Sequence, residues 1–147
     1  VLQLDICNFT AMSQTMSALH VATMVHSIFS AFDSSVERLD LFKMDTIGDA
    51  YIVAAWLPET PDWHEDRNSK KICRKVLMLA RDMITAMEEH RTLTGLEVNC
   101  RIGISVGKFA CGLIGRVQSR FHVMGRAMGE VEHLEQKCVI NGIHVSD

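Results

Sequence analysis

The stretch KMDTIGDAYIV, from Lys43 to Val53, decides the fold because it predicts a β-hairpin. The run before it suits a strand, the Thr-Ile-Gly step suits a tight turn, and the run after it is strongly β-prone. Two carboxylates, Asp45 and Asp49, lie four residues apart around the glycine. They are either the acids of an ordinary surface turn or part of a metal site.

Outward from this hairpin, strand and helix patterns alternate along the chain. We predict strands at residues 1–6, 39–44, 49–56, 96–107, 109–115 and 142–147, with the turn at 46–48. Apolar residues at three- and four-residue steps predict helices along 21–36 and 72–87. Residues 116–124 lead into a short helical segment at 126–138, and residues 58–68 form a polar loop. Ser13 or Ser17 is expected to cap the first helix.

The order βαββαβ, followed by extra elements, predicts a ferredoxin-like sheet of the α/β (α+β) class. Its length fits a single domain over residues 1–147. In such a sheet the helices cover mainly one face. The other face, or the hairpin end, is then available for a ligand or a second subunit.

The composition is that of a chain that can bury a core and carries little net charge. Hydrophobic residues make up 48% and the formal net charge is −3, which excludes a nucleic-acid partner held by a basic face. No apolar run approaches the roughly 18 residues of a membrane span. Five cysteines without a C-x-x-C pair indicate a reduced, intracellular domain. We expect a domain trimmed at both ends from a longer parent, with no membrane contact of its own.

Asp5, at the end of the first predicted strand, is a second candidate for a metal site. The first strand of a ferredoxin-like sheet lies beside the hairpin, so Asp5 and Asp49 can meet at one edge. Two such carboxylates repel each other unless a cation joins them, and Mg²⁺ is the usual cation beside substrate phosphates. The turn from Ile6 to Thr10 leads into a helix and suits phosphate. The pattern alone still favours Asp5 as a cap and Asp49 as a turn acid.

Three segments in order resemble one family of enzymes. They are LDICNFT (residues 4–10), KMDTIGDAYIVAAWLP (43–58) and CRIGISVGKFACGLIG (100–115). Their spacing is similar to that in the catalytic domains of class III nucleotidyl cyclases, the adenylyl and guanylyl cyclases, and the similarity extends over the whole chain. The resemblance implies the class III cyclase fold and conversion of a nucleoside triphosphate to its 3′,5′-cyclic monophosphate and pyrophosphate.

The resemblance also assigns site residues. Asp5, Asp49 and the backbone carbonyl of Ile6 correspond to ligands of two Mg²⁺ or Mn²⁺ ions. One ion activates the ribose 3′-hydroxyl and the other holds the β- and γ-phosphates. Arg101 corresponds to a phosphate-contacting arginine, whereas without the resemblance it would be a strand-surface residue facing solvent. The turn expected to cradle the phosphates consists of Cys7, Asn8, Phe9 and Thr10.

The chain departs from the family where the transition state is stabilised. Active members have an asparagine and an arginine four residues apart on the helix after the GLIG strand, whereas this chain has Gly129 and His133. Glycine cannot orient a ribose, and histidine is a poor substitute for a guanidinium. Asn8 also stands where glycine is common. We therefore expect the metal-binding first half of a two-domain cyclase, with a second cyclase domain as partner in a heterodimer or within one longer chain.

Asp45 and His122 fall at the positions that correspond to base recognition. A carboxylate accepts hydrogen bonds from the N1–H and N2–H₂ edge of guanine but faces an acceptor at N1 of adenine, so Asp45 favours GTP over ATP. His122 fits neither base. In a heterodimer the partner would read the base, and these two residues would lie in a degenerate second pocket.

Two other functions stay open. Gly129 and His133 also suit a regulatory pseudo-cyclase that binds a nucleotide or a partner without turnover, although that function does not require both Asp5 and Asp49. A polymerase-palm or diguanylate-cyclase relative would share the sheet and the two carboxylates, but the chain has no GG[DE]EF-type hairpin. For a cyclase we expect a location on the cytoplasmic side of a parent that is an integral membrane protein.

Overall fold

The chain follows the predicted βαββαβ order and contains two elements that were not predicted, a short helix directly after the first strand and a strand directly before the last helix. The computed structural model describes residues 1–56, 66–115 and 120–147. The strands are β1 (Leu2–Ile6), β2 (Phe42–Ile47), β3 (Ala50–Ala54), β4 (Cys100–Ile104), β5 (Ala110–Ile114), β6 (Arg120–Met124) and β7 (Ile143–Val145). The helices are α1 (Phe9–Thr15), α2 (Ala18–Leu39), α3 (Asp66–Thr94) and α4 (Arg126–Gln136).

β1 lies at the centre of a five-stranded sheet with the order β2-β3-β1-β4-β7. It pairs antiparallel with β3 on one side and with β4 on the other, while β7 pairs parallel with β4. The order β2-β3-β1-β4 is that of a ferredoxin-like sheet, so the predicted fold class is confirmed. β5 and β6 pair with each other in a separate two-stranded sheet.

The hairpin is present, but its turn comes later than predicted. β2 continues through Ile47, and Gly48 and Asp49 form the turn, not residues 46–48. Gly48 has φ 64°, a left-handed conformation that glycine adopts without steric cost. Leu39, predicted to begin the first hairpin strand, is instead the buried last residue of α2.

Three other boundaries differ from the prediction. α3 begins at Asp66, inside the loop predicted at 58–68, and residues 58–65 of that loop lie outside the described residues. The segment at 116–124, predicted only as a lead into the last helix, contains β6 and so forms a hairpin with β5. Ser17, and not Ser13, caps α2, because its hydroxyl oxygen accepts a hydrogen bond from the backbone N–H of His20.

α2 and α3 cover one face of the sheet and form the main core with it. Phe32 and Tyr51 are fully buried there, with their rings edge to face at a centroid distance of 5.3 Å. The Tyr51 hydroxyl donates to the carboxylate of Asp33 on α2, which also binds the ammonium of Lys43 on β2 at 2.7 Å. These contacts hold the edge strand β2 against α2. None of the helices in the described ranges is both long enough and apolar enough to span a bilayer.

α4 packs on the opposite face, directly over β4. Arg101, Gly103 and Ser105, alternate residues of the chain at β4, all contact this helix. A Cβ atom on Gly103 would lie 2.4 Å from the carbonyl oxygen of Val131, so strand and helix meet backbone to backbone. The Ser105 hydroxyl donates to Glu130 at 2.6 Å. The expectation that helices leave one face of the sheet mainly open is therefore wrong for the part that α4 covers.

We expect Gly103→Ala to destabilise the fold by about 1–3 kcal/mol, the usual cost of overpacking, because the added methyl must push α4 away from β4. Denaturant unfolding measures this change as a lower midpoint at unchanged slope. Gly112→Ala on β5 is the control, since a Cβ atom there meets nothing within 4 Å. Equal midpoints for the two variants would show that α4 does not rest on Gly103.

Candidate active site

The register of β1 places Asp5 between two other candidate residues. The Cα atom of Asp5 is paired with Ala50 on β3 and with Arg101 on β4. Asp49 directly precedes Ala50, so the hairpin turn brings a second carboxylate to Asp5. This is the meeting at one sheet edge that the ferredoxin-like order predicts.

The electrostatics of this edge follow from that proximity. Burial raises the pKa of Asp5 above its ordinary value, and the negative charge of Asp49 raises it further, while Arg101 acts in the opposite direction. The side chain of Asp5 is only 26% exposed, so solvent screens the two like charges incompletely. A cation between the carboxylates would remove the repulsion.

The oxygen atoms at this edge fit a hard divalent cation. The Asp5 and Asp49 carboxylates and the carbonyl at Ile6, the last residue of β1, are donors of the kind that Mg²⁺ and Mn²⁺ prefer. Two carboxylates completed by phosphate and water oxygens are a common Mg²⁺ arrangement. No group of three or more His, Cys, Asp or Glu side chains converges on a possible metal position within the described ranges.

The turn after β1 is tighter than the sequence suggests. Asn8 has φ 57°, a left-handed conformation that explains why glycine is common there and why asparagine is tolerated. The backbone N–H of Cys7 donates to the carbonyl of Asn99 at 2.8 Å. That amide is therefore committed within the fold, which corrects its predicted place in the phosphate cradle. Phe9 and Thr10 begin α1, where first-turn N–H groups lack a helical acceptor.

Arg101 is only partly exposed, and its guanidinium lies beside two carboxylates. A terminal nitrogen, Nη2, lies 3.4 Å from Oδ2 of Asp5, and Nε lies 2.9 Å from Oε1 of Glu135 on α4. The Nε–H is not aligned for a hydrogen bond with that oxygen, so Arg101 and Glu135 form an ion pair without a hydrogen bond. Burial alone would lower the pKa of Arg101, but the negative charges of Glu135 and Asp5 raise it above its ordinary value.

Glu135 is the residue at this edge that the sequence analysis missed. It is 3% exposed, and burial raises the pKa of its carboxyl, as does the negative charge of Asp5. The signal was available, because Ala127, Val131 and Glu135 recur every fourth residue on the buried side of α4. A glutamate at an apolar stripe position indicates a buried cationic partner.

The two base-position residues lie on separate strands that approach each other. Oδ1 of Asp45 accepts a hydrogen bond from the backbone N–H of Thr46 at 2.8 Å, and the pairing of β2 with β3 shifts register just before it. His122 is exposed on β6. It follows Phe121, whose ring centroid is 5.5 Å from that of Phe42 at the start of β2. The structure thus brings the two strands together.

Gly129 and His133 lie one turn apart on α4, and both are exposed. A Cβ atom on Gly129 would meet nothing within 4 Å. The side of α4 that carries them is therefore sterically open, and the helix itself has a regular geometry there. A larger side chain would therefore fit at position 129 without moving its neighbours.

Comparison with known proteins agrees with this geometry. Residues 1–147 match the family model of the adenylate and guanylate cyclase catalytic domain. Human guanylyl cyclase C is 32% identical over 142 residues, and the nematode receptor-type guanylate cyclase gcy-7 from Caenorhabditis elegans is 26% identical over 144 residues; each match covers 97% of this chain. The chain spans only 12–13% of the length of these relatives.

Solved structures show the same fold. The guanylate cyclase domain of RhGC from Catenaria anguillulae, in complex with GTP, superposes with a TM-score of 0.84 at 26% identity, covering 99% of this chain and 76% of that one. The adenylyl cyclase CyaB from P. aeruginosa superposes with a TM-score of 0.78 at 17% identity, covering 99% of this chain and 74% of that one. The second likeness concerns the fold alone.

We expect Asp49→Asn to raise the melting temperature in metal-free buffer near neutral pH by roughly 2 °C, the effect of about 0.5–1 kcal/mol in a chain of this size. Because the folded-state pKa of Asp5 is raised, stability is lost as pH rises through that pKa, and removing the Asp49 charge reduces the loss. Thermal unfolding with a chelator and with Mn²⁺ measures both effects. Mn²⁺ should stabilise the wild-type chain and not the variant.

Asp45→Asn is the matched control for this experiment. It removes the same charge from the same hairpin, and the Asp45 side chain does not contribute to the raised pKa of Asp5. It should keep the stabilisation by Mn²⁺. An Asp49→Asn variant that is less stable without metal, yet still stabilised by Mn²⁺, would contradict a paired-carboxylate metal site.

Proposed function

This chain belongs to the adenylate and guanylate cyclase catalytic domain family, and we propose that it supplies the metal-binding half of a two-domain cyclase site. The observation that carries the proposal is the single sheet edge where Asp5, Asp49 and Arg101 meet. Two carboxylates with a guanidinium beside them suit a nucleoside triphosphate that arrives with divalent metal ions.

Each group at this edge has a role in the proposed reaction. Bound Mg²⁺ or Mn²⁺ would lower the pKa of the ribose 3′-hydroxyl and neutralise the phosphates. Asp5, Asp49 and the carbonyl of Ile6 would hold two such ions. The first-turn N–H groups of α1, at Phe9 and Thr10 after Asn8, would contact phosphate oxygens.

Arg101 completes the proposed phosphate site. Its guanidinium lies at the sheet edge next to Asp5, and its side chain remains 30% exposed. A terminal nitrogen at that position can donate to a phosphate oxygen while Nε stays beside Glu135. Arg101 would then help to hold the triphosphate in place beside the two carboxylates.

A second cyclase domain is needed for the transition-state half. Gly129 and His133 leave α4 without the amide and guanidinium that the family uses to orient the ribose and to stabilise developing charge. We infer a heterodimer, or two domains within one longer chain, with a single competent site. A dimer of two identical copies would then lack these groups in both sites.

An apolar surface is available for that partner. The β5–β6 hairpin exposes Leu113, which is 72% accessible, with Ile114 and Met124. Next to it, Phe42 and Trp56 are both exposed, and their rings are in edge contact at 5.2 Å. Exposed apolar side chains on this hairpin and on the neighbouring β2 suit a protein-binding surface. We assign this surface to the second cyclase domain.

GTP is the substrate that we favour, because guanylyl cyclase C, gcy-7 and the domain of RhGC are guanylate cyclases, the last of them in complex with GTP. The Asp45 carboxylate matches the donor edge of guanine, but in a heterodimer the partner would read the base. The likeness to the receptor-type guanylate cyclase gcy-7 supports our proposal that the parent is a membrane receptor with this domain on its cytoplasmic side.

A second candidate function rests on the same α4 positions. With Gly129 and His133 exposed in place of an amide and a guanidinium, the domain could hold Mg²⁺-nucleotide or a partner cyclase domain without turnover. The two carboxylates at the sheet edge argue for catalysis, because a regulatory domain gains nothing from their repulsion. Product formation distinguishes the two functions.

We expect the chain alone to form no more than traces of cyclic nucleotide from GTP or ATP, and to form cyclic GMP when the rest of its parent protein is present. Chromatography of the products with Mn²⁺ or Mg²⁺ measures the rate. Asp49→Ala should abolish it, since one metal ligand is gone. Turnover by the chain alone at the rate of the reconstituted protein would exclude the two-domain proposal, and nucleotide binding without product would favour the pseudo-cyclase.

We further expect the double substitution Gly129→Asn and His133→Arg to raise the weak activity of the isolated chain by at least about tenfold, because loss of a single donor to developing charge costs enzymes roughly a hundredfold. The open space around Gly129 accommodates the larger side chain. The same double substitution together with Asp49→Ala is the control. No gain at unchanged melting temperature would show that α4 is not the deficient element.

A further inference from the structure

Glu135 is a buried charge that the proposed function leaves unexplained. Among the described residues it is the one acidic or basic residue in the fully buried class, at 3% exposure. Burying a carboxylate costs several kcal/mol unless a partner compensates it. α4 could place an apolar residue here, as it does at Ala127 and Val131, so the charge calls for an explanation.

The backbone of Glu135 is held at a fixed place relative to β4. A Cβ atom on Gly103 would lie 2.7 Å from the backbone nitrogen of Glu135 and 2.4 Å from the carbonyl oxygen of Val131. Gly103 and Arg101 face α4 from alternate positions of the same strand. The carboxylate of Glu135 therefore extends to Arg101 from a backbone position that close packing on β4 fixes.

The guanidinium of Arg101 lies between two carboxylates. Its Nε side is 2.9 Å from Glu135, and its Nη2 end is 3.4 Å from Asp5, beyond the length of a good charged hydrogen bond. Without the first contact, the whole positive charge of Arg101 would be available to Asp5. A guanidinium that forms two parallel hydrogen bonds with Asp5 would compete with a metal ion for the same oxygen atoms.

We propose that Glu135 is a positioning residue that holds Arg101 by its Nε side, so that Asp5 stays available for metal and the terminal nitrogens stay available for phosphate. This inference rests on the proposed metal-binding function. It assigns Glu135 no contact with substrate or metal. A purely structural Glu135 would affect folding stability and leave metal affinity alone.

The test measures Mn²⁺ binding to the isolated chain. The electron paramagnetic resonance signal of free Mn²⁺ reports the unbound fraction, so no turnover is required. Glu135→Gln keeps the size of the side chain and removes its charge. We expect it to weaken Mn²⁺ binding by roughly tenfold, the lower end for residues behind a metal ligand. Glu130→Gln removes the same charge from the same helix, where the carboxylate contacts Ser105, and should leave binding unchanged.

Arg101→Gln gives a second readout. In the Glu135→Gln background it should restore Mn²⁺ affinity, because the competing guanidinium is gone, and the two substitutions should be strongly non-additive. Thermal unfolding checks that each variant is folded. If Glu135→Gln does not fold, Glu135→Asp tests the same expectation, since it keeps the charge and withdraws it from Nε by one methylene.

The outcomes separate the inference from the function beneath it. No Mn²⁺ binding by the wild-type chain, or equal binding by Asp49→Asn, would overturn the metal site and this inference together. Binding that Asp49→Asn abolishes and that Glu135→Gln and Glu130→Gln leave equally intact would overturn the role of Glu135 alone. Loss with Glu135→Gln that Arg101→Gln does not restore would also overturn it.

Discussion

The antiparallel register of β1 is the constraint on which the rest of the site depends. It sets Asp5 opposite Ala50 on one neighbour and opposite Arg101 on the other. A slip of one residue would turn every side chain of β1 to the other face of the sheet and separate Asp5 from both partners. Leu2, Leu4 and Ile6, which alternate along β1, are all buried in the core. A slip would turn them out of it, so the core itself specifies the register.

Much of this arrangement follows from the sequence, and the exceptions have physical causes. The strand patterns and turn residues of Lys43–Val53 predict the hairpin. The order of strands and helices along the chain then predicts the ferredoxin-like sheet and the approach of Asp49 to Asp5. β6 was not predicted, because the apolar content of RFHVM suits either a strand or a segment leading into a helix. Only its pairing with β5 makes it a strand. Cys7 differs because its amide is taken by Asn99, a long-range partner that no local pattern encodes.

The carboxylates of this site repel one another in the folded chain. Asp5 and Asp49 are held together at an edge that solvent screens poorly, and Glu135 adds a third carboxylate nearby. Arg101 balances part of this negative charge, and its raised pKa reflects that neighbourhood. In the proposed function, cations and phosphate would offset these like charges, which is the electrostatic preorganisation expected of a phosphoryl-transfer site.

The separation of the two sheets has a consequence for cooperativity. β5 and β6 hydrogen-bond only with each other among the strands described, and their hairpin meets the main sheet through aromatic contacts such as Phe42 with Phe121 and Trp56 with Phe109. Backbone amides of β1 have hydrogen-bonded neighbours on both sides, whereas each strand of the hairpin has a described neighbour on one side only. The two carboxylates therefore lie at the larger sheet and most of the apolar surface assigned to the partner lies on the smaller one, so we expect slower amide hydrogen exchange around the carboxylates than in the hairpin.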